Sequence, residues 1–238
     1  PGYYVENYTR NFQQFNLKLQ DFRKALSTQI PPNVFSLTEY PNLSDDNVDK
    51  PKPILYGSKR NIPLICLNEM DESAASYQFL VMDTEFHPVT SVSIVYVDGV
   101  ALTSGQWSLN PTTGIITIDD DYCEDNLGDV TADAIGADGS NSLAVVKDLM
   151  YNYGNVAFIP TNFDTREWNI AQADGRPVGL YLDEQIDLID AIGECCVASD
   201  TLFFPQDGGR YSARNYAENR TPTRRIYPDE WMDDPQES

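Results

Sequence analysis

The chain has 238 residues, 41% of them apolar and 11% aromatic, enough for one large or two modest domains with proper cores and too much for a disordered chain. Lys and Arg total 16 against 37 Asp and Glu, a formal net charge of -21. That average field repels phosphate backbones and anionic lipid and argues against nucleic-acid binding.

No stretch approaches the ~20 apolar residues that a membrane-spanning helix needs, and no charged region precedes an apolar core for export. A soluble, unexported protein without membrane insertion is predicted. The chain opens on Pro1 rather than Met, which points to a segment of a longer polypeptide or a processed chain. Cys66, Cys123, Cys195 and Cys196 have neither Cys-x-x-Cys spacing nor a histidine cluster, so reduced thiols are expected, with no zinc site and no cofactor.

Residues 1–50 are expected to hold an N-terminal strand and a linker that pack on a neighbouring or missing domain. Phe15, Leu17 and Leu19 alternate with polar residues, the period of a strand with one buried face. Asp21 to Leu26 predicts a helical turn or two, stopped by Pro31-Pro32. Tyr40 to Lys52, rich in Pro, Asn, Ser and Asp, reads as a connection.

Residues 51–135 read as a β-rich barrel or sandwich. Ile62–Leu67 and Tyr77–Met82 are strand-length apolar runs, and Val92–Val97 runs into Asp98-Gly99, the dipeptide of a two-residue type I′ turn, with Val100–Leu102 returning. A second hairpin joins Trp107–Leu109 to Ile115–Ile118 through a turn from Asn110 to Gly114.

Residues 136–228 read as an α+β domain with two amphipathic helices and a hairpin. Ser140 or Asn141 caps a helix whose apolar residues Leu143, Val146, Leu149 or Met150, and Tyr153 share one face, with Gly154 as its stop. Asp164 caps a short helix through Trp168 and Ile170. Val178–Leu182 is a strand. Asp183 is then expected to cap a helix carrying Ile186, Ile189, Ile192 and Cys196, followed by Leu202–Phe204, an Asp207-Gly208 turn and Tyr211–Ala213. Residues 229–238 form an acidic tail.

Three places resemble the tail-tip and baseplate hub proteins of tailed bacteriophages and prophages. The first is Tyr40–Asp46 followed by Pro53-Ile54-Leu55-Tyr56-Gly57, similar to a strand entry in phage tail proteins. The second is the hairpin at Val95–Val100. The third is the order of capped helix, short helix, strand, amphipathic helix, Phe-rich strand and hairpin from Ser142 to Tyr216. The resemblance covers about two thirds of the chain. It implies a structural component of a virion tail or prophage-derived particle, made in the bacterial host cytoplasm. Such a protein is not an enzyme; it acts by assembling with itself, as a trimer or another symmetric ring, and with other tail proteins.

Other chemistry weighs less. His87, the one histidine, with Cys195 or Cys196 has the makings of a nucleophile and base, but cysteines on an amphipathic helix read as core packing. Asp119, Asp121 and Asp125 are calcium candidates, although Cys123 breaks the EF-hand register. Asp83 with Glu85 is a carboxylate pair of the kind a glycosidase uses. Trp107, Trp168, Trp231 and the tyrosines offer stacking surfaces for sugars, which makes a receptor- or carbohydrate-binding module the alternative, with a cell-wall hydrolase behind it. Gly-x-Ser-x-Gly, Gly-x-Gly-x-x-Gly and P-loop patterns are absent from the chain.

Overall fold

The computed structural model describes residues 26–71, 73–123, 128–206 and 209–215 in full and the backbone of 3–10 and 15–21. The architecture is α+β: several small antiparallel sheets, with three helices toward the C-terminal part. In chain order the strands begin with β1 (Tyr3–Arg10), β2 (Phe15–Asp21), β3 (Gln29–Ile30), β4 (Ile54–Tyr56), β5 (Ser58–Pro63) and β6 (Ile65–Cys66). They continue with β7 (Ser76–Leu80), β8 (Ser91–Val97), β9 (Val100–Ala101), β10 (Trp107–Asn110), β11 (Ile115–Asp119) and β12 (Val130–Ile135). Helices α1 (Ser142–Asn152) and α2 (Thr165–Ala173) follow, then β13 (Leu180–Leu182), β14 (Ile186–Asp187), α3 (Leu188–Ala198), β15 (Thr201–Pro205) and β16 (Tyr211–Asn215).

Two four-stranded sheets, ordered β10-β11-β7-β6 and β5-β12-β8-β9, dominate the middle of the chain. Their strands alternate as half-buried strands do: Val130, Ala132 and Ala134 of β12 and Ile116 and Ile118 of β11 point inward. Phe79, Ile116 and Ile118 from one sheet and Ile62, Val95 and Ala132 from the other form one apolar cluster. Among the described residues no barrel closes, which corrects one of the two β architectures expected from sequence. The edge strands β6 and β9 are two residues long, too short to carry hydrogen bonding around a ring.

The turns follow from local chemistry. Asp98 and Gly99 have φ of 50° and 77°, positive at both central positions as a type I′ turn requires. In the β10–β11 turn the Asn110 side chain accepts from the backbone N–H of Thr112 and Thr113, and Gly114 has φ 68°. Residues 207 and 208, expected in the turn between β15 and β16, lie outside the described residues, as does most of the helical turn expected over Asp21–Leu26.

The second core draws on both ends of the chain. Leu143, Val146, Leu149 and Met150 of α1, Trp168 of α2 and Leu188, Ile192 and Cys195 of α3 pack with Leu26, Ile30, Ile54 and Tyr56. Strand β4 pairs with β13 and β3 with β14, so short N-terminal strands brace the helices. Gly57 lets the chain leave β4 for β5: its φ is 68°, and a Cβ there would stand 2.2 Å from the Val178 carbonyl oxygen.

Caps define two of the helices. Asn141 Oδ1 accepts from the N–H groups of Leu143 and Ala144 at the start of α1, and Asp164 Oδ1 accepts from Glu167 N–H at the start of α2. The third helix differs from its expected form. Ile186 and Asp187 are a strand paired with Ile30 and Gln29, so α3 begins at Leu188 and Asp183 does not cap it. Asp187 stands at the cap position, but its carboxylate accepts from the Gln29 side-chain amide rather than from the helix.

Candidate functional site

Helix α1 turns two faces. Leu143, Val146, Leu149 and Met150 enter the core, and Ala144, Lys147, Asp148 and Tyr151, spaced three and four residues apart, form a stripe along an open cavity of about 600 Å³. Asp148 lies toward the C-terminal end of α1, where the helix dipole disfavours a negative charge, so the carboxylate needs other support.

That support converges on one oxygen. Asp148 Oδ2 accepts from the Tyr56 hydroxyl at 2.5 Å, from His87 Nε2 at 2.7 Å and from Asn152 Nδ2 at 3.1 Å. An ionised carboxylate has no proton to give, so the His87 bond places a proton on Nε2. Tyr56 is buried at the end of β4, and desolvation, followed by its neighbours Tyr153 and Asp148, pushes its hydroxyl far above the ordinary tyrosine range. It therefore stays a donor at any working pH. The His87 ring stands edge-on to Tyr56, centroids 5.8 Å apart. Asp148 Oδ1 has no hydrogen-bond partner among the described residues.

The other cavity walls are mainly apolar: Ala137, Ala157, Phe158 and Ile159 face the helix stripe. Lys147 Nζ sits 4.7 Å from the centre of the Phe158 ring and forms no ion pair among the described residues. Asp138 also lines the cavity, and hydrogen bonds from the Ser140 N–H and hydroxyl hold its carboxyl below the usual range. Beyond His87, Asn33 Nδ2 donates to Asp83 Oδ2 and Glu85 Oε2, each at 2.6 Å, so the carboxylate pair noted in the sequence shares one amide. Burial, and then the carboxylates of Asp83, Asp148 and Glu85, raise the Tyr153 hydroxyl well above its ordinary value.

The remaining candidates fall elsewhere. Cys195 and Cys196 are core residues of α3. Burial pushes their thiols up to about 12 and about 11, so neither is a thiolate at neutral pH. The histidine partner is Asp148, an orienting carboxylate, rather than either thiol. Asp119, Asp120 and Asp121 bring carboxylate oxygens within 4.8 Å of one another on an exposed turn, where Asp119 Oδ1 already accepts from Asp121 N–H; Asp125 lies outside the described residues. Trp168 is wholly buried in an aromatic cluster with Phe163 and Phe203, Trp107 is half-buried against the two-sheet core, and Trp231 lies outside the described residues.

Sequence reasoning singled out His87 but missed Tyr56, Asp148 and Asn152 as its companions. The one local signal was Asp148 and Asn152 at helical i, i+4 spacing, which is common on polar helix faces. Compared with protein-family models, curated proteins and solved structures, the chain matches none.

Proposed function

We propose that this chain is a structural component of a phage or phage-like tail, a hub or tail-tip segment that acts by protein–protein assembly. The observation that carries the proposal is the order of α1, α2, β13, α3, β15 and β16, interrupted only by the two-residue β14 before α3, the sequence of elements that resembles hub proteins. Support comes also from the open sheets. Among the described residues the six sheets have two or four strands each, and unpaired strand edges are templates for pairing with a neighbouring chain. Val100, on the edge strand β9, is 68% exposed and offers an apolar side chain beside such an edge. In this role the two four-stranded sheets act as a small sandwich, the helical part braces it, and identical copies close a ring, commonly of three.

Assembly is a property of the whole chain, so the test uses the whole chain. A tagged copy produced in a host that makes the particles should co-purify with tails, and the purified protein should sediment as a closed oligomer. A monomer that is absent from tails, or one that hydrolyses peptidoglycan or binds glycans through a discrete cleft, would overturn the proposal.

A further inference from the structure

The cavity on α1 has no assigned occupant, and its chemistry selects one class. We propose that it binds an organic cation: an ammonium or guanidinium group carried on a short apolar chain. The inference stands independently of the tail assignment.

Asp148 supplies the charge. With Tyr56, His87 and Asn152 all donating to Oδ2, the carboxylate is fixed in place before any ligand arrives, and Oδ1 is left without a partner among the described residues. A pre-positioned acceptor with an unused oxygen at the wall of a cavity is what an N–H cation needs, since little ordering remains to be done on binding. The side chain is 31% exposed, so it is reachable yet partly shielded from water, which strengthens its attraction for a cation.

The surroundings settle the sign. Asp138 adds a second carboxylate to the cavity, and among the described residues the one ammonium that lines it, Lys147, is engaged on the Phe158 ring. An anionic ligand would meet two carboxylates. Ala144 and Ala157 leave room, and Ile159 and Tyr151 give apolar contact for a chain of a few methylene groups. Tyr151, which also lines the cavity, is 62% exposed and carries an aromatic ring, a group whose face attracts cations.

The same chemistry is carried by a free alkylamine and by a Lys or Arg side chain of a second copy of this protein. The experiment is an NMR titration of the full chain with n-butylguanidinium, with n-butanol and butyrate as uncharged and anionic controls of matched size. Saturable shifts at Ala144, Lys147 and Tyr151 are expected with butylguanidinium alone. Asp148→Asn should weaken binding at least about tenfold, and Lys147→Met, by removing a competing cation, should strengthen it. Ala144→Phe, which fills the cavity and leaves the carboxylate chemically unchanged, should abolish binding and keeps the test decisive if Asp148→Asn fails to fold. Equal binding of butanol, tighter binding of butyrate, no saturable response, or indifference to both Asp148→Asn and Ala144→Phe would overturn the proposal. If a second copy supplies the cation, butylguanidinium and Asp148→Asn will each lower the oligomer mass; a free amine leaves that mass unchanged.

Discussion

The Tyr56 hydroxyl donates to Asp148 Oδ2 at 2.5 Å, joining the end of β4 to α1 across 92 residues of sequence. This bond ties an N-terminal strand to the outer face of a helix whose inner face shares a core with the same tyrosine. Hydrogen bonds to a charged group contribute about 1.5–3 kcal/mol, and Tyr56→Phe should lower stability by that amount. Asp148→Ala should cost more, because it strands the buried hydroxyl together with two half-buried donors, His87 and Asn152. In the double variant the Tyr56 change should add little, since its partner is already gone. Strict additivity in denaturant melts would show that the two side chains do not interact.

Glycine positions separate backbone strain from steric overlap. At Gly99, with φ 77°, an added Cβ meets no atom within 4 Å, so Gly99→Val should cost only the left-handed strain, about 1–3 kcal/mol. Gly57→Ala adds a 2.2 Å clash with the Val178 backbone to a similar φ and should be far more damaging. Thermal melts that rank the two in the opposite order would contradict the turn geometry.

Asp164 caps α2, and Asp164→Ala should destabilise by about 1 kcal/mol at neutral pH. The Glu167 N–H holds the carboxyl below its ordinary value of 3.8. The folded state thus binds this proton less readily than the unfolded state, so the stabilisation is present above that ordinary value and disappears as pH falls through the lowered one. Wild type and Asp164→Ala should therefore converge in stability in strong acid, as urea melts across that range will reveal.

The four cysteines are buried thiols, so reducing agent should leave the melting curve unmoved and thiol reagents should label the chain only on unfolding. Burial raises Cys66 and Cys196 to about 11 and Cys195 to about 12 from an ordinary 9.0. In the unfolded chain these thiols ionise first, so their contribution is full below pH 9.0 and is lost as pH rises toward 11–12. Stability measured from pH 8 to 11 should fall along that window; a flat profile would place the thiols in water.

A net charge of -21 predicts negligible binding of double-stranded DNA even at low salt. Arg214 does not reverse this, since its Nε already lies 3.5 Å from a Glu167 carboxylate oxygen. Micromolar binding that weakens with added salt would require an uncompensated cationic surface. In an assembled ring, arginines lining a central channel would equally contradict the prediction.

Features confined to a few consecutive residues were open to reading from the sequence. The Asp98-Gly99 turn needs two residues that tolerate positive φ, and the starts of α1 and α2 need one capping side chain each, so these are local chemistry. Alternation in β11 and β12 marks their buried faces for the same reason. Ile186 shows the limit: its apolar spacing suits the following helix, but Ile30 pairs with it from the far end of the chain and makes it a strand. Closure of the β-rich part was likewise undecided by pattern, because a period of two is common to open and closed sheets and what decides is whether the edge strands pair, which β6, β10, β5 and β9 do not do with one another among the described residues. The Asp148 cluster was the least legible of all. Its donors come from positions 92 and 61 residues away as well as from the next helical turn, and a convergence of that kind exists only once β4, the loop bearing His87 and α1 have packed together.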